Sequence, residues 1–461
     1  MKGYIKASLM VSIVILAALK VHNLPSPSTH AAGPWYVAPG GNDSDSCSSP
    51  AAPCATINGA IGKATSGDTI LVATGVYTGS GDQVVLLDRN ATLSGGWDTG
   101  FATQSGVSTI DGQGARRGMM VNEGITAVVE RFAVQNGYAW GYYGSGNGAG
   151  IRNGGTLTLN NCTISGNTSK DNGGGIANYG AITLNNSVVS SNTASEGGGI
   201  LNAGVPGATM TLNNSTVSSN TAWQGGGILN SYAVLTLNNS TISANGATTN
   251  GGGIYSYGVV ALNNSTVSAN TATYSGGGIR TTEGTVTLRN SLLGGNTAGN
   301  APDCSGTIGS AGYNLVASTS GCTFSASTGD LTNVNARLGL LIGSPGYVPL
   351  LSGSPVINAG NPAGCTGSTG PLTTDQRGAA RVGRCDIGAY EYTAPGPAAG
   401  IYASGGTPQT IPPSSVFRTP LRAAVLDSIG SPVSSATVTY SAPGSGASGT
   451  FADSTLSRRP L

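Results

Sequence analysis

Two carboxylates, Asp171 and Glu196, stand just ahead of Gly-Gly-Gly-Ile stretches that begin at Gly173 and Gly197. Acids set one repeat apart are what glycoside hydrolysis needs: one protonates the leaving oxygen, the other activates water or attacks. Between Gly148 and Asn300 the only other acid is Glu283, and the bases are Arg152, Lys170, Arg280 and Arg289. A segment before the repeats is richer, with Asp82, Asp88, Asp98, Asp111, Arg116 and Arg117. Asp98 and Asp111 are the candidates there for a small acidic site or a calcium site. The structural alternative for all four acids is turn chemistry, since Asp-Gly, as at 111–112, is a common turn pair. No other cofactor and no metal ligand set is expected. Both histidines, His22 and His30, fall in the N-terminal leader, which removes the commonest base and metal ligand together.

Aromatic residues offer a second chemistry, stacking on sugar rings or anchoring a partner. Tyr138, Trp140, Tyr142 and Tyr143 crowd one loop, NGYAWGYYGSGNG at 136–148. Tyr179, Trp223, Tyr232, Tyr255, Tyr257 and Tyr274 recur beside the glycine runs, with Tyr255 and Tyr257 as the binding candidates among them. The competing role is local cover over glycine.

The elements that must carry these residues are repeats. Ile151, Ile176, Ile200, Ile228, Ile254 and Ile279 follow the glycines at intervals of 24 to 28 residues. A period of this size marks a solenoid. Each isoleucine precedes a short alternating run such as Leu157-Thr-Leu159, two apolar side chains one way and threonine the other. Two asparagine columns follow, one at 161, 186, 214, 239, 264 and 290, the other at 167, 192, 220, 245, 270 and 296. Alternation, β-branched residues and dense glycine exclude an α-helical solenoid. The expected fold is all-β, a right-handed parallel β-helix of roughly 25 residues per coil. Asparagine suits its bends, tolerating left-handed backbone and stacking amide on amide. Cys162 sits in a column held elsewhere by serine and shares parity with Ile164, so it should point inward.

Residues 1–32 read as a signal peptide: Lys2 and Lys6 precede an apolar run too short to span a membrane comfortably. Residues 33–66 read as an N-terminal cap with a short helix, because Ile57, Ala60, Ile61 and Ala64 make one apolar face. Residues 67–392 read as the β-helix. Its first strand starts at Asp68, 93–101 and 108–118 form early irregular coils, and residues 353–392 close the far end. A linker is expected at 393–400 and a truncated, poorly ordered Ig-like sandwich at 401–461. Three close cysteine pairs suggest disulfides in an oxidising compartment, Cys47 with Cys54, Cys304 with Cys322 and Cys365 with Cys385; metal binding is the alternative. With 8% charged residues and a net charge of +1, the chain has no footprint for nucleic acid, and the mature chain is expected to span no membrane.

The Gly-Gly-Gly-Ile and Ser-x-Asn repeats resemble those of chlamydial-type polymorphic outer-membrane proteins, β-helical adhesins. Here an aliphatic residue replaces the phenylalanine usual in their second half. WYVAPGGNDSDSC…PCATINGAI and DQRG…CDIGAYEY resemble secreted bacterial proteins with a choice-of-anchor Q domain on the pectin-lyase-like fold. The tail resembles invasin-type Ig-like repeats. These resemblances imply a secreted or cell-surface bacterial protein that binds a polysaccharide or another surface ligand without catalysis. Polysaccharide lyase or glycoside hydrolase activity, which the pectin-lyase-like fold also hosts, is one alternative, and a passive surface stalk is another.

Overall fold

The computed structural model describes residues 33–141, 146–204, 207–405, 421–428, 430–433, 436–440 and 457–458. Residues 1–32, the expected signal peptide, and Tyr142 and Tyr143 lie outside these residues, as does much of the segment after Gly405.

Each repeat makes one coil of a parallel β-helix. One strand carries the isoleucine, from Ile151–Asn153 to Ile279–Thr281. A second is the alternating run, from Thr156–Asn160 to Thr285–Arg289. A third, short strand runs from Thr163–Ser165 to Leu292–Leu293. Strands pair in parallel with their counterparts one coil on, in constant register: Leu157 lies opposite Ile182, Ile182 opposite Met210 and Met210 opposite Leu235. The aliphatic columns point inward and are buried. Coils therefore stack at the strand spacing, about 4.8 Å.

The stretches 93–101 and 108–118, expected as early irregular coils, contribute strands: Leu93 faces Val129 and Ile110 faces Val134, while the pairing of Asp68–Ala73 with Ala91–Trp97 shifts register between Leu71 and Ala73. A strand also precedes the expected first one. Trp35–Val37 pairs in parallel with Asp68–Ala73, Trp35 opposite Ile70. Neither segment carries the glycine-isoleucine signature, so their pairing is set by inward aliphatic residues alone. The helix forms at Ile57–Lys63, capped by the Thr56 hydroxyl, which accepts from the Gly59 amide at 2.9 Å. It buries Ile57, Ala60 and Ile61 and packs against the first strands, as the amphipathic spacing requires.

The two asparagine columns divide the work of the bends. Asn161, Asn186, Asn214, Asn239, Asn264 and Asn290 all take φ between 47° and 53°, the left-handed region asparagine tolerates best after glycine. The second column turns inward instead. Asn167, Asn192, Asn220, Asn245 and Asn270 each donate from Nδ2 to Oδ1 of the next asparagine at 2.9–3.0 Å. Beside it the left-handed residues are Ser191, Ser219, Ala244 and Ala269. A third, unanticipated column is also internal: Asn153, Asn178 and Asn202 donate along the row to Asn178, Asn202 and Asn230. Gly174 is needed where coils meet, because a Cβ there would stand 2.5 Å from the Gly198 and Thr193 carbonyl oxygens.

Residues 353–392 do not simply close the far end. After the strand Leu331–Thr332 the chain folds back along the flank formed by the short third strands. Gln376 exchanges hydrogen bonds with Thr216 and Thr241, Thr374 O accepts from Asn239 Nδ2, and Ala389 N donates to Thr266 Oγ1. Arg377 pairs with Asp375 at 2.8 Å and lies 3.9 Å over the Tyr390 ring. The physical reason is the threonine column at 216, 241 and 266, which offers hydroxyls to an extended neighbour on the outside of the coil. Gly400–Gly405 and Arg422–Leu426 pair antiparallel, and Leu426 joins the core around Tyr347 and Tyr390. Within the 393–400 segment, Gly396 N donates to Asp427 Oδ2 at 2.9 Å.

The three disulfides are Cys47–Cys54, Cys304–Cys322 and Cys365–Cys385, and Cys162 is free and buried. Among the described residues, no helix is long and apolar enough to cross a membrane.

Asn245→Leu should lower stability by about 3 kcal/mol, because it strands two neighbouring amides inside the coil. Asn185→Ala, in a half-buried outer row, should cost less than about 1 kcal/mol. Urea unfolding of both variants checks the difference.

Candidate functional site

Asp171 and Glu196 both stand just ahead of their glycines, Asp171 two residues before Gly173 and Glu196 one before Gly197, and the strands do not bring them opposite each other. Glu196 bridges in register with Asn172 and with Gln224, and Asp171 O accepts from Ser195 N at 2.7 Å. The coil that carries Asp171 holds one more residue in this bend than the coil that carries Glu196. Glu196 Oε1 accepts from Gln224 Nε2 at 2.5 Å. Asp171 Oδ2 is buried without a hydrogen-bond partner among the described residues.

Asp98 and Asp111 hold their own turns. The Asp98 carboxylate accepts from the Thr103 hydroxyl and from the amides of Ala102, Thr103 and Gly100, and these bonds hold its pKa below the usual carboxylate range. Partial burial works against ionisation of Asp111. Hydrogen bonds from Gln135, the Gln113 amide and Asn136 outweigh it and lower its pKa. Among the described residues, no three His, Cys, Asp or Glu side chains cluster in a way that could hold a metal ion. Burial pushes the Cys162 thiol up to about 12, away from the thiolate a nucleophile requires.

The aromatic residues fall into two groups. One covers the outside of the isoleucine strands. Their middle positions, Ala177, Leu201, Leu229 and Tyr255, point away from the core yet are buried as a small cluster with Tyr179 and Tyr257. Tyr257 packs 4.8 Å from Tyr255 and stacks 5.8 Å from Tyr232. The Arg152 and Arg280 guanidinium groups stand 5.1 Å and 5.7 Å over the rings of Tyr179 and Tyr255. Asn147 Nδ2 donates to the Tyr179 hydroxyl. Burial, then a hydrogen bond with Tyr255, raises the Tyr257 pKa. Tyr255 and Tyr257 are thus placed as cover for an apolar strip.

The other group is exposed. Trp140, Trp223 and Tyr274 are 70%, 53% and 60% accessible. They occupy the same bend of different coils, between the third strand and the glycines. Trp140 follows Ala139, which pairs with Ser169. Trp223 N donates to Ser195 O, Thr249 N to Trp223 O and Tyr274 N to Thr249 O, so the bend repeats along the axis. Tyr138 is half-buried one strand position earlier, opposite Thr168.

Tyr138 and Thr168 head a column that sequence reading missed. Thr168, Thr193, Thr221, Gly246, Thr271 and Thr297 pair in succession, and the threonines are exposed. Its signal was present in the Asn-Thr dipeptides at 167, 192, 220, 270 and 296. A cavity of about 470 Å³ lies at the head of this column, lined by Asp111, Asn136, Tyr138 and Thr168 among others. No family model matches the chain, and no curated protein matches it.

Tyr257→Ala should lower stability by about 1–3 kcal/mol by uncovering Leu201 and Leu229. Trp223→Ala should stay within about 0.5 kcal/mol of the parent, because its ring is already in water. Thermal unfolding of the two variants separates cover from exposed surface.

Proposed function

We propose that this chain is a non-catalytic binding protein of the secreted or cell-surface kind, acting in adhesion by holding carbohydrate or another surface ligand. The observation that carries the reading is the set of exposed aromatic rings at Trp140, Trp223 and Tyr274, aligned along one bend of the coil. Large rings left in water on a rigid scaffold are suited to stacking on a ligand. The four candidate acids support catalysis less well. Asp98 and Asp111 serve their own turns and Glu196 is held by Gln224. The backbone sets Asp171 opposite Ser195 rather than Glu196, so those two acids do not pair.

Further features support export and display. The leader has the form of a signal peptide, and three disulfides suit an oxidising compartment. The repeats resemble those of β-helical bacterial adhesins, and the motifs at both ends resemble choice-of-anchor Q proteins. The antiparallel pairing of Gly400–Gly405 with Arg422–Leu426 is compatible with the start of an Ig-like domain.

The test is retention of the chain on immobilised polysaccharides and on whole cells. The parent should be retained, and the triple variant Trp140→Ala, Trp223→Ala, Tyr274→Ala should lose at least about tenfold in affinity. No retention on any polymer or cell type would remove the binding reading.

A further inference from the structure

We propose that the bend carrying Trp140, Trp223 and Tyr274 is a docking track for one linear, uncharged polysaccharide, which lies parallel to the solenoid axis and spans about six sugar rings. This rests on the binding reading above and specifies its ligand, orientation and length.

Spacing is the first argument. From the coil of Trp140 to that of Trp223 there are three steps, through Thr168 and Thr193 to Thr221. From Trp223 to Tyr274 there are two, through Gly246 to Thr271. At the strand spacing these separations are about 14 Å and about 10 Å. One ring of an extended β-linked sugar chain advances by nearly one coil. A chain laid along the axis therefore places a ring over each aromatic, three rings apart and then two. Five coil steps correspond to about six rings.

Polarity is the second argument. Beside the aromatic row runs the exposed threonine column, with Thr193 Oγ1 and Thr221 Oγ1 3.1 Å apart. Each hydroxyl donates and accepts, as sugar hydroxyls do. Between Trp140 and Tyr274 the places along this bend are the half-buried Asp171, Ser195 and Thr249, with Lys170 exposed beside Asp171. One lysine gives an anionic polymer no repeating partner. At the Tyr138 end, the cavity offers the Asp111 carboxylate and the Asn136 amide to further sugar hydroxyls.

The aromatic geometry also separates a glycan from a protein. Protein interfaces gather their aromatic anchors into a desolvated centre. Here single rings stand well apart, with hydroxyls between and beside them, which fits separate sugar rings.

The test titrates the full chain with neutral β-1,4-linked gluco-, manno- and N-acetylated chito-oligosaccharides of increasing length, and with oligoalginates of equal length. For at least one neutral series, affinity should climb from two to about six rings and then level off, as the coil count requires. Trp223→Ala should weaken hexasaccharide binding roughly tenfold and flatten the climb, while Trp223→Phe should keep most of it. A length series that levels off at two or three rings would overturn the track. So would an unchanged affinity in Trp223→Ala, or alginate binding as tightly as any neutral series. If the parent is still retained on polymers or cells in those cases, the track falls and the binding reading stands. If the parent is retained on nothing, both fall.

Discussion

The internal asparagine row is the constraint on which the rest of this molecule depends. A primary amide in an apolar interior is unfavourable unless its donors and acceptor are all met. Here most are met by the coil before and the coil after. Asn220 Nδ2 donates to Asn245 Oδ1 and to the Val189 carbonyl, while its own Oδ1 accepts from Asn192. A slip of one residue would break the whole row and turn the aliphatic columns outward. Repeats of 24 to 28 residues can therefore stack without drift, because their length differences are absorbed in the bends.

A row of amides must also end. The inner row terminates at Asp303, which is buried and accepts from Asn296 Nδ2 at 2.9 Å and from its backbone amide at 3.1 Å. Burial raises the pKa of Asp303, and those two hydrogen bonds work the other way. The serine row beside it ends on Asn314, whose Oδ1 accepts from Ser291 N. On the flank, residues beyond 338 lie against the short strands and meet their threonines and asparagines one by one. Ends and edges are thus closed by polar groups matched to the rows they finish.

Much of this was legible in the chain. The isoleucine period gave the coil, the Leu-Thr-Leu alternation its inward face, and the apolar spacing at 57–64 the capping helix. The three nearest cysteine pairs are the bonded ones. What could not be read depends on contacts between distant segments. Nothing local says that Gln376 will reach Thr216 and Thr241, 160 and 135 residues away in sequence. Nor does the composition of Tyr179 or Tyr257 tell cover from binding surface. That is decided by the Ala177, Leu201 and Leu229 strip beneath them. Asp171 and Glu196 each follow their inner asparagine by four residues, but the Asp171 coil has one more residue before its glycines, so Glu196 meets Asn172 instead.

A nearly uncharged scaffold leaves recognition to the few residues that interrupt it, and Trp140, Trp223 and Tyr274 share one bend. The claim most open to test is that this surface holds a polymer without cutting it. The direct measurement is to incubate the chain with the polysaccharide that retains it best, with and without calcium. New reducing ends and unsaturated products are then followed over time. The account predicts bound polymer of unchanged length. Release of either product would contradict it and return attention to Asp98, Asp111, Asp171 and Glu196.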